Sequence, residues 1–168
     1  MKQTMHNKNK KGFSLMEVII AIFVITIGIT GAMSLITYSI SNVAISKSKI
    51  IAVSLAQEGI EVVRNIRDTN WIEDVDWNDG LDPAVDCPGG CRIQYSSLSL
   101  MSLSSNPALK IDGNSFYQYD VGADTRFHRK IEITNISANE IKVVSEVTWN
   151  ERGRSPEVIA ETRLYNWK

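Results

Sequence analysis

The sequence has little with which to build a catalytic or metal centre. It contains two histidines and two cysteines in 168 residues. Histidine is a frequent general base and metal ligand, and a structural zinc site takes four Cys or His ligands. One histidine, His6, precedes a long apolar run, and the other is His128. No serine lies in the G-x-S-x-G pattern of a nucleophile elbow. We therefore expect no enzyme, no cofactor and no metal.

Charge is also missing from one long stretch of the chain. No charged residue lies between Val18 and Ser46, whereas the first eleven residues hold four lysines and no acid. The formal net charge of −1 hides this layout, because the chain without its first twelve residues has 14 basic and 19 acidic side chains, a net charge of −5. A mildly acidic remainder argues against nucleic-acid binding through the whole surface, since such binding neutralises phosphates.

An apolar run with the length of a membrane span follows the lysines. Residues 15–36 read LMEVIIAIFVITIGITGAMSLI and contain one charged residue, Glu17. About 20 apolar residues cross a bilayer as a helix, which satisfies its own backbone in lipid. Because the lysines precede the run, the positive-inside rule places the N-terminus in the cytoplasm and the bulk of the chain outside. Small residues within the run would let helices pack closely.

Three kinds of N-terminus share these properties. The first is a secretory signal peptide, cleaved after the apolar run near the small residues 30–32. The second is a signal anchor that is never cleaved. The third is a leader that is cut before the run, so that the run stays on the mature protein.

Residues 10–18, KKGFSLMEV, favour the third alternative. They resemble the class III leader of type IV prepilins, in which a peptidase cuts after the glycine and methylates the new N-terminus. The resemblance places the cleavage after Gly12, the methylated N-terminus on Phe13 and the acid of the fifth mature position on Glu17. It covers about residues 8–45, and it is closest to PilV-like minor pilins and to I-type minor pseudopilins of type II secretion.

Glu17 has two interpretations. A carboxylate in the hydrocarbon core is unfavourable, so an acid within an apolar run is a functional hypothesis by default. The resemblance implies that Glu17 pairs with the Phe13 amine of a neighbouring subunit. The alternative is that Glu17 lies at headgroup level, where water solvates it.

A second helical pattern follows the apolar run. In residues 46–69 apolar side chains recur at three- and four-residue steps, which predicts an amphipathic helix with one face on a core. Weak helix formers at 68–70 suit its end. Arg64 and Arg67 are interpreted as solvated side chains.

Residues 70–115 are rich in acids, aromatics and turn formers, and they predict loops. The segment 74–80 resembles a calcium loop only weakly, because the EF-hand pattern needs a glutamate at its twelfth position and Val85 stands there. The serine-rich stretch 96–105 fits a strand or a surface loop.

The two cysteines enclose a turn sequence, Cys87-Pro-Gly-Gly-Cys91. Outside the cytoplasm disulfides persist, and Pro with two Gly allows a turn tight enough to bring the two α-carbons together. We expect a local disulfide; the alternatives are free thiols and a metal or redox site.

The C-terminal third alternates between apolar and polar residues. Three strands are predicted at 127–136, 141–149 and 157–167, with a candidate fourth at 116–121 and a hairpin connection at 150–156. With a preceding helix these make an α+β fold, in which a long N-terminal helix packs on an antiparallel β-meander. That arrangement is the pilin fold that the resemblance implies.

The meander carries a local cluster of basic residues. We interpret this cluster as a solvated strand edge. The alternative is that it contacts DNA, as subunits of competence pili do. Its members are Arg126, His128, Arg129, Lys130, Arg152 and Arg154.

The resemblance therefore implies a leader at 1–12, a transmembrane and assembly helix at 13–45 and an extracytoplasmic α+β domain at 46–168. The predicted function is that of a non-enzymatic minor pilin or pseudopilin, single-pass in the cytoplasmic membrane and then part of a pilus or pseudopilus. Its partners would be the prepilin peptidase and methyltransferase and other pilins, in a homo- or hetero-oligomeric filament. The alternative is a membrane-anchored binding module, an adhesin or DNA receptor, outside any filament; a secreted enzyme is the third option.

Overall fold

A computed structural model describes residues 12–167 and contains one helix and seven strands. The chain divides into two compact units, with the boundary between Ala44 and Ile45. The helix is α1 (Leu15–Ile72), and the strands are β1 (Cys91–Arg92), β2 (Met101–Ser102), β3 (Ala108–Ile111), β4 (Tyr117–Gln118), β5 (Ala123–Ser137), β6 (Glu140–Trp149) and β7 (Glu157–Tyr165).

The described part of the first unit is the helical segment up to Ala44. α1 begins at Leu15, as the apolar run predicts, and the large apolar side chains of this unit are exposed along its length. The amphipathic pattern of residues 46–69 belongs to the same helix. α1 ends at Ile72, slightly beyond the predicted stop at 68–70.

In the second unit the strands form one antiparallel sheet around β5. On one side β5 pairs with β6, which pairs with the edge strand β7; on the other side β5 pairs with β1 and β3, which carry β2 and β4. β5, β6 and β7 are the predicted meander, so the α+β pilin-like arrangement is confirmed. The candidate strand at 116–121 is reduced to the two residues of β4. β2 lies within the stretch 96–105, for which a strand and a surface loop were both left open, and β1 and β3 were not predicted.

The core of this unit lies between the helix and one face of the sheet. Alternate residues of β6, among them Ile141, Val143 and Val147, point inward. They face the buried side of the helix, on which buried residues recur at three- and four-residue steps. The buried helix residues are Ser48, Ala52, Leu55, Ala56, Gly59, Ile60, Val62, Val63, Ile66, Arg67 and Asn70.

Gly59 packs closely against side chains of the sheet. A Cβ built on it would stand 2.7 Å from Ser145 Oγ and 2.8 Å from Ile131 Cδ1. Real Cβ atoms do not approach neighbours this closely, so a side chain here would force the Ser145 and Ile131 side chains or the helix itself to shift.

We therefore expect Gly59→Ala to lower the free energy of unfolding by about 1–3 kcal/mol, although alanine favours a helix by about 1 kcal/mol over glycine. Urea denaturation of the full chain in detergent checks this. Gly113→Ala is the matched control, because a Cβ at Gly113 meets nothing within 4 Å. An unchanged stability of the Gly59 variant would contradict the close packing.

Cys87 and Cys91 form a disulfide, with their α-carbons 4.9 Å apart. Both residues are buried, and Cys91 lies opposite Ile131 in the β1–β5 pairing. The loop before them is fastened to the end of the helix, because the Asn70 amide donates hydrogen bonds to the carbonyls of Trp77 (3.2 Å) and Asp79 (2.8 Å).

Two arginines predicted to be solvated are buried instead. Arg129 has no exposed surface, since it shares the inward-facing side of β5 with Phe127 and Ile131. Arg67 is 9% exposed, bonds Asp68 at 2.9 Å and lies over the ring of Trp71. The interpretation of both as solvent-facing charges was wrong, and Arg129 is not part of a surface basic cluster.

Candidate processing and assembly site

The residues predicted to be processed lie at the start of the described chain. Gly12, Phe13 and Ser14 precede the helix, and the Phe13 side chain is 82% exposed. A Cβ on Gly12 would meet nothing within 4 Å, so the protein's own packing does not require a glycine there. Residues 1–11, with the lysines of the predicted leader, lie outside the described residues.

Glu17 lies exposed in the first turn of α1. Its carboxylate is close to the positive end of the helix dipole, which favours an acid at this position. Within residues 12–167 its side chain makes no hydrogen bond or ion pair. The charge is therefore left for a group outside residues 12–167 or for solvent.

Ser14 is a residue of this site that the sequence reasoning missed. Its carbonyl accepts the first helical hydrogen bond, from Val18 N at 3.2 Å, which makes Ser14 the N-cap of α1. The signal was present as the capping-box pattern S-x-x-E at 14–17. Ser14 thus marks where the helix begins, immediately after Phe13.

The first unit exposes an apolar surface that water does not favour. An 18-residue window of the helix has a mean hydropathy of 2.5, and none of it is buried within the protein. A surface of this kind calls for lipid or other helices around it. A cleaved signal sequence near an N-terminus has the same hydropathy, so the motif at 10–18 has to distinguish the two.

Four hydroxyl groups of this unit, those of Thr26, Thr30, Ser34 and Thr37, donate hydrogen bonds to carbonyls of the preceding helical turn. Thr30 Oγ1 donates to the Thr26 carbonyl at 2.9 Å, and Ser34 Oγ donates to the Thr30 carbonyl at 3.0 Å. Such bonds to the preceding turn remove the cost of a hydroxyl in an apolar medium. Gly28 and Gly31 have open space beside them, which allows another helix to approach closely.

Residues 7–33 match the family model of the prokaryotic N-terminal methylation motif. The match supports a type IV pilin-like protein. It includes Gly12, Phe13 and Glu17, and it implies processing by a prepilin peptidase and assembly with other pilins. With the apolar helix, the motif fits membrane anchoring and a pilus, and it points to a structural subunit rather than an enzyme. No curated protein and no solved structure matches the chain.

The second unit brings none of the remaining candidate residues together as a reactive centre. In residues 12–167 no three His, Cys, Asp or Glu side chains converge as metal ligands. His128 Nδ1 lies 2.7 Å from the Asn106 carbonyl. The stretch 96–105 is surface chain, except for the two residues of β2.

Proposed function

We propose that the chain is a minor pilin or pseudopilin that enters a filament through its N-terminal helix. The observation that carries this proposal is the location of the methylation motif, at the beginning of a helix whose apolar side chains are all exposed in the first unit. The machine served is a type IV pilus, a type II secretion pseudopilus or a competence pseudopilus. The folded second unit faces outward.

Processing would occur between Gly12 and Phe13, on the cytoplasmic side of the membrane. The three residues before the helix are irregular in structure and exposed, which suits a peptidase that holds backbone closely, and glycine leaves that backbone uncovered. Cleavage would leave Phe13 as the N-terminus, and methylation of its amine would follow.

Assembly would use the charge of Glu17. In a bundle of apolar helices opposite charges attract strongly, and an unpaired charge is costly. Glu17 has no partner within residues 12–167, so the Phe13 amine of an adjacent subunit is available to it without breaking an existing pair. The pair would set the axial position of each subunit that enters the filament.

We expect Gly12→Val to block cleavage. The variant should fold normally, because a side chain at this position meets open space, and it should accumulate in the membrane as a precursor that is heavier by the leader. Immunoblotting of membrane fractions measures the ratio of the two forms. Gly28→Ala, also in open space, is the control and should be processed like the wild type; normal processing of Gly12→Val would contradict the proposed site.

An anchored binding module outside any filament remains the competing function. Filaments sheared from the native cells and purified by sedimentation distinguish the two. A subunit should be present in the sheared fraction, whereas an anchored module should stay with the membrane.

A further inference from the structure

A groove with a cationic rim lies at the beginning of the second unit. Its volume is about 510 Å³. The first turns of this unit's part of α1 form one wall, and the connection between β6 and β7 forms the other. Ile45, the buried Trp149 and Pro156 provide apolar lining, while Lys49, Arg152 and Arg154 are exposed basic residues at the rim; Glu151 and Glu157 complete the lining.

The hairpin that carries the two arginines has a defined shape. Glu151 and Arg154 exchange backbone hydrogen bonds of 2.9 and 3.0 Å, so that two residues form the turn. Both turn residues are left-handed, Arg152 with φ 53° and Gly153 with φ 75°, as in the two-residue turns that match the twist of a hairpin. The basic side chains are thus presented on a short rigid turn rather than on a flexible loop.

Glu151, at the base of the hairpin, already has partners within the protein. Glu151 Oε2 accepts a hydrogen bond from the Trp149 indole at 2.9 Å, and Glu151 Oε1 lies 3.5 Å from Arg126 NH1. The Trp149 hydrogen bond, a hydrogen bond from Ser48 and the charges of Arg126 and Arg152 hold the pKa of Glu151 below its usual value. The lining therefore holds three basic residues, Lys49, Arg152 and Arg154, and two acids, Glu151 and Glu157, so its formal charge is still positive with Arg152 close to Glu151.

The groove begins in the sequence where the proposed membrane segment ends, at Ile45. Residues 18–46 are uncharged, and as a helix they span about 44 Å at 1.5 Å per residue. A bilayer with its headgroup regions is about 40–45 Å thick. If Glu17 lies at one headgroup level, Ile45 and the first following charge, Lys47, therefore lie at the other.

The opposite end of the second unit has the opposite charge. Residues 73–86 follow the C-terminal end of α1 and contain six acids and no basic residue. Glu73, Asp76 and Asp79 are exposed there. The unit thus has a basic end at the start of its helix and an acidic end beyond the helix terminus. An anionic bilayer surface attracts the first and repels the second.

We propose that the groove binds the headgroup of an anionic phospholipid in the leaflet from which the second unit emerges. Lys49, Arg152 and Arg154 would contact the phosphate, and Ile45 and Pro156 would pack against the glycerol and the first carbons of the acyl chains. This inference rests on the membrane-anchored state in the proposed function. The bound lipid would hold the subunit at the membrane surface before assembly, and entry into a filament would require its release.

The test uses the full chain in nanodiscs that contain equal amounts of phosphatidylglycerol and phosphatidylcholine. Native mass spectrometry measures which lipids stay bound on release, and hydrogen exchange measures protection of the hairpin amides at 150–156. The test variant is R152N/R154Q, since asparagine tolerates the left-handed turn. The control R64Q/R163Q removes the same charge at sites away from the groove.

The wild type and the control should retain phosphatidylglycerol preferentially, and their hairpin amides should exchange more slowly in these discs than in discs of phosphatidylcholine alone. Each basic residue near an anionic surface strengthens binding to it roughly fivefold, so R152N/R154Q should reduce the preference for phosphatidylglycerol by about 25-fold. Equal retention of both lipids, or equal behaviour of the two variants, would overturn the inference. Hairpin protection that depends on the number of chains per disc would also overturn it, and would assign the groove to a second copy. No assembly machinery is present, so a failure here leaves the filament proposal unaffected.

Discussion

Replacing Arg129 with alanine is expected to reduce the free energy of unfolding by about 2–5 kcal/mol, because two buried carbonyls lose their donor and a half-buried ion pair is broken. Arg129 has no exposed surface. Its NH1 group donates to the Leu55 carbonyl and to Glu58 Oε1, each at 2.9 Å, and its NH2 group donates to the Ile93 carbonyl. One guanidinium thus joins the helix, β5 and the chain after β1.

Two further variants separate this role from simple loss of volume. Arg129→Met keeps the packing of the stem and removes the buried Nε, which has no hydrogen-bond partner in the described chain, so it should destabilise less than alanine. Arg64→Ala is the control, because its pair with Glu61 is largely exposed and is worth less than about 1 kcal/mol. Urea denaturation of the detergent-solubilised chain measures all three. Equal stabilities of the Arg64 and Arg129 alanine variants would contradict the account of the core.

Replacing Glu17 with alanine is expected to leave the protein in the membrane and to reduce its incorporation into filaments by tenfold or more. Insertion should be unaffected, because alanine is easier to bury in lipid than a carboxylate. Incorporation should fall because the Phe13 amine of the neighbouring subunit would lose its partner in a medium of low dielectric constant. A tenfold effect corresponds to about 1.4 kcal/mol, a modest amount for a charge left unpaired in such a medium.

The measurement is the ratio of subunit in sheared filaments to subunit in membranes. Glu61→Ala is the matched control, since Glu61 is an exposed glutamate on the same helix in the second unit. It should enter filaments normally. If Glu17→Ala enters filaments as well as the wild type does, the proposed pairing is wrong. If Glu17→Ala is lost from the membrane, the carboxylate acts in insertion instead.

The long elements of the fold were predictable because their periodicity extends over many residues. β5, β6 and β7 each alternate long enough for a period of two to stand out, and the stripe of α1 repeats over several turns. β1 and β2 have two residues each, too few to show any period. Their positions follow from pairing with residues distant in the chain, which no local pattern contains.

The errors in the predicted core have physical reasons. The alternation of Phe127, Arg129 and Ile131 places Arg129 on the inner face, but arginine is rarely buried unless paired, and its partner Glu58 is 71 residues away. The helix passes its predicted end because the Asn70 side chain bonds the following loop, which outweighs its weak helix propensity.

The site at the N-terminus was readable because it is contiguous. Gly12, Phe13 and Glu17 are within six residues, and the family model matches the same segment. The basic groove was not readable, since it joins Lys49 to a hairpin about a hundred residues later. The sequence did show the basic residues, but only the fold separates the buried Arg129 from the exposed Arg152 and Arg154.

The intact mass and N-terminal sequence of the mature protein, isolated from its native membrane, test the central claim most directly. The account predicts a chain that begins at Phe13 and is heavier than the unmodified chain by one methyl group. A chain that begins near Met33, as after signal-peptide cleavage, or one that still begins at Met1, would contradict it.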